Sequence, residues 1–331
     1  MRLKIFGGRF VRRSSPPATE DRQKLASAVW ASTMTALVAI FVGWIFAASG
    51  GGHGSAIAVC ETPVPSASVD QDPVVGDLPI PPGSTPTTIG TSVQGRPIEA
   101  YEVGEGPRRL AIVGGIHQGL EGNTSELVRL LQQHFVLHPI EIPEGVALAF
   151  IPDMNPDGAA AATRNNANRV DLNRNWDHEW LRDTYTSRGR VRGGGGSAPF
   201  SEPETRTVQR YLVEGNVAAA MFFHARAAVV VGPQGGGESV DFARTVADAT
   251  RYAYLTEWTA YPLSGQAVGY LDSIGIYALD VELSTYWDPE FARNLEGVRA
   301  AMGWIDANVP EEWCLTATPV PADQPTVVPA D

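Results

Sequence analysis

Four near-continuous apolar runs, each closing on a polar residue, constrain this chain more than any other feature. They are "RLAIVGGIH" ending at His117, "GVALAFIPDMN" ending at Asn155, "VAAAMFFH" ending at His224, and "IYALDVEL" reaching Glu282. Runs without polar alternation suit strands covered on both faces. Helical spacing lies between them. Leu127, Leu130, Leu131 and Phe135 mark a first helix, and "SEPETRTVQRYLVEG" opens with a capping box of Ser201 and Glu204 and closes at Gly215. A last helix begins at Asp288 and Pro289 and carries Phe291, Leu295, Val298, Met302 and Ile305 as a core stripe. Strands alternating with helices predict an α/β domain from about Thr87 to about Pro310, with a mixed, mostly parallel central sheet and helices on both faces.

In such sheets ligands bind outside the carboxyl ends of the strands, where polar groups gather without disturbing the core. His117, the Asp153/Asn155 turn, His224 and Glu282 share one rim if their strands are neighbours. A lone histidine at a strand end reads as an ordinary hydrogen-bonded residue. A carboxylate inside an apolar strand, as at Glu282, does not, because burying it without a partner costs several kcal/mol. Two imidazoles and one carboxylate make the three-ligand set of a catalytic zinc, with the fourth position left for water. A further carboxylate must then take the proton and pass it on, and Glu282 is available. Charge developing on an oxygen calls for a fixed cation nearby.

The motifs "GGIHQGLE", "NPDG" at 155–158, "TRNNANRVDLNRNW" at 163–176, "PFSEPET" at 199–205, "FFHA" around His224 and "DVELST" at 280–285 together resemble the zinc carboxypeptidase family of the carboxypeptidase A type. The order holds from "IGTSVQGRPIEAYEVG" at Ile89 to the final helix. The resemblance implies one zinc ion held by His117, Glu121 and His224, with Glu282 as general base and proton shuttle and Arg164 as the arginine that stabilises the oxyanion. It implies that Asn173 and Arg174 bind the substrate's terminal carboxylate, to which an arginine fork can donate two parallel hydrogen bonds. Asp171 matches the carboxylate that orients the first zinc histidine, and Tyr261 the mobile tyrosine that closes over the substrate.

The chain departs from the family pattern in three places. Family members often place the ligand Glu three residues after the first His, whereas four separate His117 from Glu121 here. A glycine-containing turn can absorb the extra residue, or Glu126 is the ligand, or the metal site is damaged; Glu121 is the expectation. The stretch "SGQAVGYLDSIG" is about one residue short of the pattern, and its uncharged Ala267, Val268 and Gly269 argue against a preference for basic side chains. The glycine-rich "SRGRVRGGGGSAPF" reads as a solvated rim.

Charge distribution bears on location. Residues 1–24 hold seven Lys or Arg against Glu20 and Asp21, a net of plus 5, so a chain of formal charge minus 12 carries minus 17 in the remainder. No broad basic footprint for nucleic acid exists. The uncharged Leu25–Ala48 stretch is 24 residues long and as a helix would reach roughly 36 Å against a hydrocarbon core of about 30 Å. Basic residues on its amino side predict a single-pass anchor with a cytoplasmic N-terminus and the catalytic domain outside the cell; the alternative is a long signal peptide cut near "SAIA" at 55–58, which exports the remainder equally. A tether at 49–86 and a disordered tail at 311–331 complete the expected organisation. An exported chain with only Cys60 and Cys314 allows one intramolecular disulfide. No role falls to His53, His134, His138 or His178.

These readings predict a membrane-anchored extracellular zinc metallocarboxypeptidase acting on peptides or cell-wall stem peptides that carry a free terminal carboxylate. A non-catalytic carboxylate-binding relative and an amide or ester deacylase on the same scaffold are the alternatives. A serine hydrolase is disfavoured because no G-x-S-x-G elbow occurs.

Overall fold

Leu110 and Ile112 point into one apolar layer, and Ala111 and Val113 into another on the opposite face. Side chains alternate along a strand, so a run that is apolar at every position is buried twice. Fully burying one such aliphatic side chain contributes about 1.5–3 kcal/mol. The computed structural model describes residues 83–321. In chain order these form β1 (Thr87–Thr91), β2 (Pro97–Val103), β3 (Arg108–Val113), α1 (Asn123–Leu137), β4 (Val146–Ile151), α2 (Pro156–Ala161), β5 (Thr184–Thr186) and β6 (Gly189–Val191). Then follow α3 (Pro203–Glu214), β7 (Val217–Ala225), β8 (Val229–Val231), α4 (Val240–Thr250), β9 (Ala253–Leu255), α5 (Ala267–Ser273), β10 (Tyr277–Leu283) and α6 (Phe291–Asn308).

Eight strands make one sheet in the order β1-β2-β4-β3-β7-β10-β8-β9, and β5 pairs with β6 in a separate hairpin. The central neighbours β4, β3, β7 and β10 are all parallel, while β1, β2 and β8 join antiparallel. The sheet is therefore mixed and mostly parallel, as expected. Residues of α1, α4 and α6 build one layer, and residues of α3 and α5 build the other. Because the four apolar runs stand side by side and point the same way, their carboxyl ends open on one edge, with His224 of β7 in register beside Glu282 of β10.

Local signals met mixed outcomes. In α1, Leu127, Leu131 and Phe135 are buried as the spacing requires. The capping box does not form: α3 is preceded by Glu202 without a side-chain cap. Ser201 instead donates to Glu202 Oε1 at 2.7 Å, and Glu204 accepts from the Val93 and Asn166 nitrogens at 3.0 and 3.1 Å. Tertiary partners of Glu204 outcompete the local cap. The last helix starts at Phe291 rather than Asp288, because Asp288 Oδ1 accepts the Glu290 amide at 2.8 Å and Glu290 sits at φ +50°.

Within the expected tail, residues 311–321 lie against the body. Trp313, Leu315 and Val320 pack on the two layers, and the amides of Leu315 and Val320 donate to Asn216 Oδ1 and Gln209 Oε1 at 2.7 and 2.8 Å. Cys314 is disulfide-bonded. The basic segment 1–24, the span at 25–48, Cys60 and the tether up to residue 82 lie outside the described residues. Among the described residues no helix is long and apolar enough to cross a membrane.

Candidate metal centre

His117 lies four residues beyond the end of β3, and the chain turns sharply before Glu121 can face it. Gly119 makes that turn at φ +68°, where a Cβ would stand 2.9 Å from the Ala162 carbonyl oxygen. Residues Gly119–Glu121 then form a short 3₁₀ turn. The extra residue between His117 and Glu121 is absorbed there, and Glu126 is exposed on α1. His224 arrives from the end of β7.

His117, Glu121 and His224 are all buried and form a cluster able to hold a metal ion. The facing atoms are Nδ1 of both imidazoles, 3.1 Å apart, with Glu121 Oε2 lying 3.3 Å from His117 Nδ1 and 3.8 Å from His224 Nδ1. Two ligands of a tetrahedral zinc at about 2.1 Å from the ion stand about 3.4 Å from each other. The triangle has that size, and its two nitrogens and one oxygen are the donor types a zinc takes.

The electrostatics agree. Burial alone would lower the His224 pKa, but Asp280, Glu121 and Glu282 outweigh it and push the imidazole up to about 10. That is the mark of a pocket with surplus negative charge, the potential that attracts a dication. Burial also works to raise the Glu121 carboxyl, yet His117 and Arg164 hold it well below the usual range. The Ala225 amide donates to Glu121 Oε2 at 3.2 Å, fixing the carboxylate.

Around the cluster stand the other candidates. Asp171 Oδ1 accepts from His117 Nε2 at 2.7 Å and from the Asn173 amide at 3.0 Å. Asp171 is therefore committed to orienting that ring. Arg164 is half-exposed and pairs with Glu121 and, at 3.4 Å, with Asp171. Burial pushes the Glu282 carboxyl up to about 7, where a general base works best near neutral pH. Arg174 is buried: its Nη1 donates to the Asn173 carbonyl at 2.6 Å, and its Nε has no partner. Asn173 Oδ1 accepts from Ala267 N at 2.9 Å, which points its Nδ2 toward His224 Nε2, 3.3 Å away. Tyr261 packs edge-on against Trp258 with ring centroids 5.6 Å apart.

One open cavity joins these groups, bordered by His117, Arg164, Arg174, His224, Tyr261 and Glu282. Trp258, Leu263, Gln266 and Asp280 also border it. The sequence reading missed these four. Asp280 was within reach, since it is a carboxylate on an apolar strand two residues before Glu282 and so on the same face. The cavity wall includes this carboxylate, whereas Ala267, Val268 and Gly269, the uncharged residues weighed against a basic side-chain preference, are buried beside it on α5. The Asp153/Asn155 turn, expected at the rim, braces it: Asp153 accepts from Gln118 Nε2 at 2.7 Å, and Asn155 caps α2 through Gly158 N at 2.9 Å.

The profile of a family described as zinc carboxypeptidase matches residues 80–285. Carboxypeptidase SOL1 of Arabidopsis thaliana is 28% identical over 168 residues, covering 46% of this chain and 31% of that one. The chain spans about a third of the length of the curated relatives it matches. Among solved structures, thrombin activatable fibrinolysis inhibitor superposes with a TM-score of 0.61 at 19% identity, over 69% of this chain and 71% of that one. Murein-tripeptide amidase MpaA of Escherichia coli O157 superposes with a TM-score of 0.53 at 24% identity, over 67% and 92%. Identities this low carry the fold alone.

Proposed function

The chain belongs to the zinc carboxypeptidase family, and on that premise we propose that it is a zinc metallocarboxypeptidase that removes the C-terminal residue of peptides, held outside the cell by the Leu25–Ala48 segment. The observation that carries the reading is the buried triangle of two Nδ1 atoms and one carboxylate oxygen, sized for a tetrahedral ion, beside a buried arginine with an open donor.

His117, Glu121 and His224 would hold the metal, which supplies an acidified water and a Lewis acid for the scissile carbonyl. Arg174 receives the terminal carboxylate of the substrate: an anion there meets a cation already buried and fixed by the Asn173 carbonyl. Asn173 stands beside it. Glu282, kept basic near neutral pH by its burial, accepts a proton at the rim and returns it to the leaving nitrogen. Arg164 donates to the oxygen on which charge develops. Tyr261, on the cavity wall, closes over the departing residue and excludes water.

Cell-wall stem peptides stand beside protein fragments as substrates to be tested, because one structural neighbour is a murein-tripeptide amidase. The purified protein should bind one equivalent of zinc and release C-terminal residues from a mixed panel of peptides and stem peptides, with activity lost to a chelator and restored by zinc. Blocking the terminal carboxylate as an amide should abolish release. A protein that lacks stoichiometric zinc and turns over nothing is instead a carboxylate-binding relative. One that cleaves amidated peptides or small acylated substrates as fast as free peptides is a deacylase.

A further inference from the structure

We infer that Asp280 is a positioning residue for His224, accepting the Nε2 proton of that imidazole and so turning its Nδ1 lone pair toward the metal site. This rests on the metal reading just given. His224 Nδ1 is the atom that faces His117 Nδ1 at 3.1 Å and Glu121 Oε2 at 3.8 Å, so Nδ1 must be bare to ligate. A neutral imidazole carries one proton, and it must then sit on Nε2. Two side-chain atoms lie 3.3 Å from Nε2: Asn173 Nδ2 and Asp280 Oδ1. The Asn173 amide is fixed in orientation because its Oδ1 accepts the Ala267 amide at 2.9 Å. Its Nδ2 is a donor and cannot take the proton. Asp280 Oδ1 can.

The carboxylate has reason to do so. Asp280 Oδ1 is buried and has no well-formed hydrogen bond in the structure, and an unpaired buried acceptor costs about 1–3 kcal/mol. The arrangement mirrors the other histidine, whose Nε2 meets Asp171 Oδ1 at 2.7 Å. Each imidazole thus stands between the metal site and its own carboxylate, the pairing that orients metal-bound histidines. The two carboxylates come from different places: Asp171 lies in a loop, Asp280 on a central strand. Asp280 and Glu282 share one face of β10, so one strand supplies both the proposed base and the group that turns the neighbouring ligand.

The test measures zinc affinity of the full chain by competition with a chromophoric chelator, for wild type, Asp280→Asn, Asp280→Glu and Asp171→Asn, beside the thermal unfolding of each metal-free protein. Asp280→Asn should weaken zinc binding about 10- to 100-fold, by a factor similar to Asp171→Asn, and Asp280→Glu should recover part of the loss. Unchanged zinc affinity in Asp280→Asn overturns the inference while leaving the metal reading intact. So does a selective rise in KM for peptides ending in lysine at unchanged zinc affinity, which would make the carboxylate a contact for the substrate. A wild type that binds no stoichiometric zinc overturns both. Should Asp280→Asn fail to fold, the zinc-loaded wild type decides by proton–nitrogen NMR. A His224 Nε2 proton protected from solvent exchange supports the role, and one in fast exchange overturns it.

Discussion

Two arginines are buried at opposite ends of the central strands, and they are treated differently. Arg108 opens β3 at the amino edge and spends its donors: Nε on the Gly145 carbonyl at 2.9 Å, Nη1 on the Asp306 and Val309 carbonyls at 3.0 Å, and Nη2 on Asp306 Oδ1 at 2.7 Å. Arg174, at the carboxyl edge, gives one hydrogen bond to the adjacent Asn173 carbonyl and leaves Nε without a partner. A buried cation that is fully satisfied ties α6 to the sheet. One with open donors is a cost that folding alone does not explain, because unpaired buried polar groups are disfavoured. On the function proposed above, the contrast separates a residue kept for stability from one kept for a ligand.

The comparison predicts that substitutions at the carboxyl edge change chemistry and those at the amino edge change stability. The largest effect is expected for Glu282→Gln, which should lower kcat about 10²- to 10⁴-fold while zinc content and melting temperature stay put; equal turnover would remove the assigned base. Next, Arg108→Met should destabilise the protein by about 3 kcal/mol by orphaning several buried carbonyls, read by urea unfolding, with kcat/KM of the folded fraction unchanged. Arg174→Met should do the reverse. It should raise KM for peptides with a free carboxylate by about 30-fold, the worth of about 2 kcal/mol of charge-assisted hydrogen bonding, with no loss of melting temperature. A fall in stability as large as that of Arg108→Met would erase the distinction.

The smallest effect is a pH limb. Glu282 accepts a proton only when ionised, and burial raises its pKa to about 7. A dication beside it favours the carboxylate and draws that value down. The activity should therefore be flat above about 7 and should fall tenfold per pH unit below a limb at or under that value. A profile of kcat/KM against pH, with zinc content followed at each point, checks this. A limb above 8 contradicts it.

Much of the frame was legible because burial on two faces leaves an unbroken apolar signature, as at Leu110–Val113, Val146–Ile151 and Val217–Phe223. What the runs did not reveal was their order. β3 pairs with β7 more than 100 residues away, and no short window of sequence records that neighbour. The capping box at Ser201 and Glu204 misled for a related reason: the side chains suited a local role, but Glu204 is taken by Asn166 and the Val93 amide, and Ser201 by Glu202 and Asn175. At the site, His117, Glu121, His224 and Asp171 could be named because each lies in a dense motif. Asp280 passed as a letter of "DVEL" even though the burial argument applied to Glu282 holds for it equally. Trp258, Leu263 and Gln266 lie in a segment without periodicity, and only folding brings them to the cavity.

The turn at Gly119 makes the reach of Glu121 depend on a residue that has no functional group. Any replacement would put a carbon against the Ala162 carbonyl and strain a left-handed backbone. On the proposed metal reading, loss of metal would then follow from a change that deletes no ligand, so inherited variation at codon 119 should be damaging although the codon specifies no chemistry.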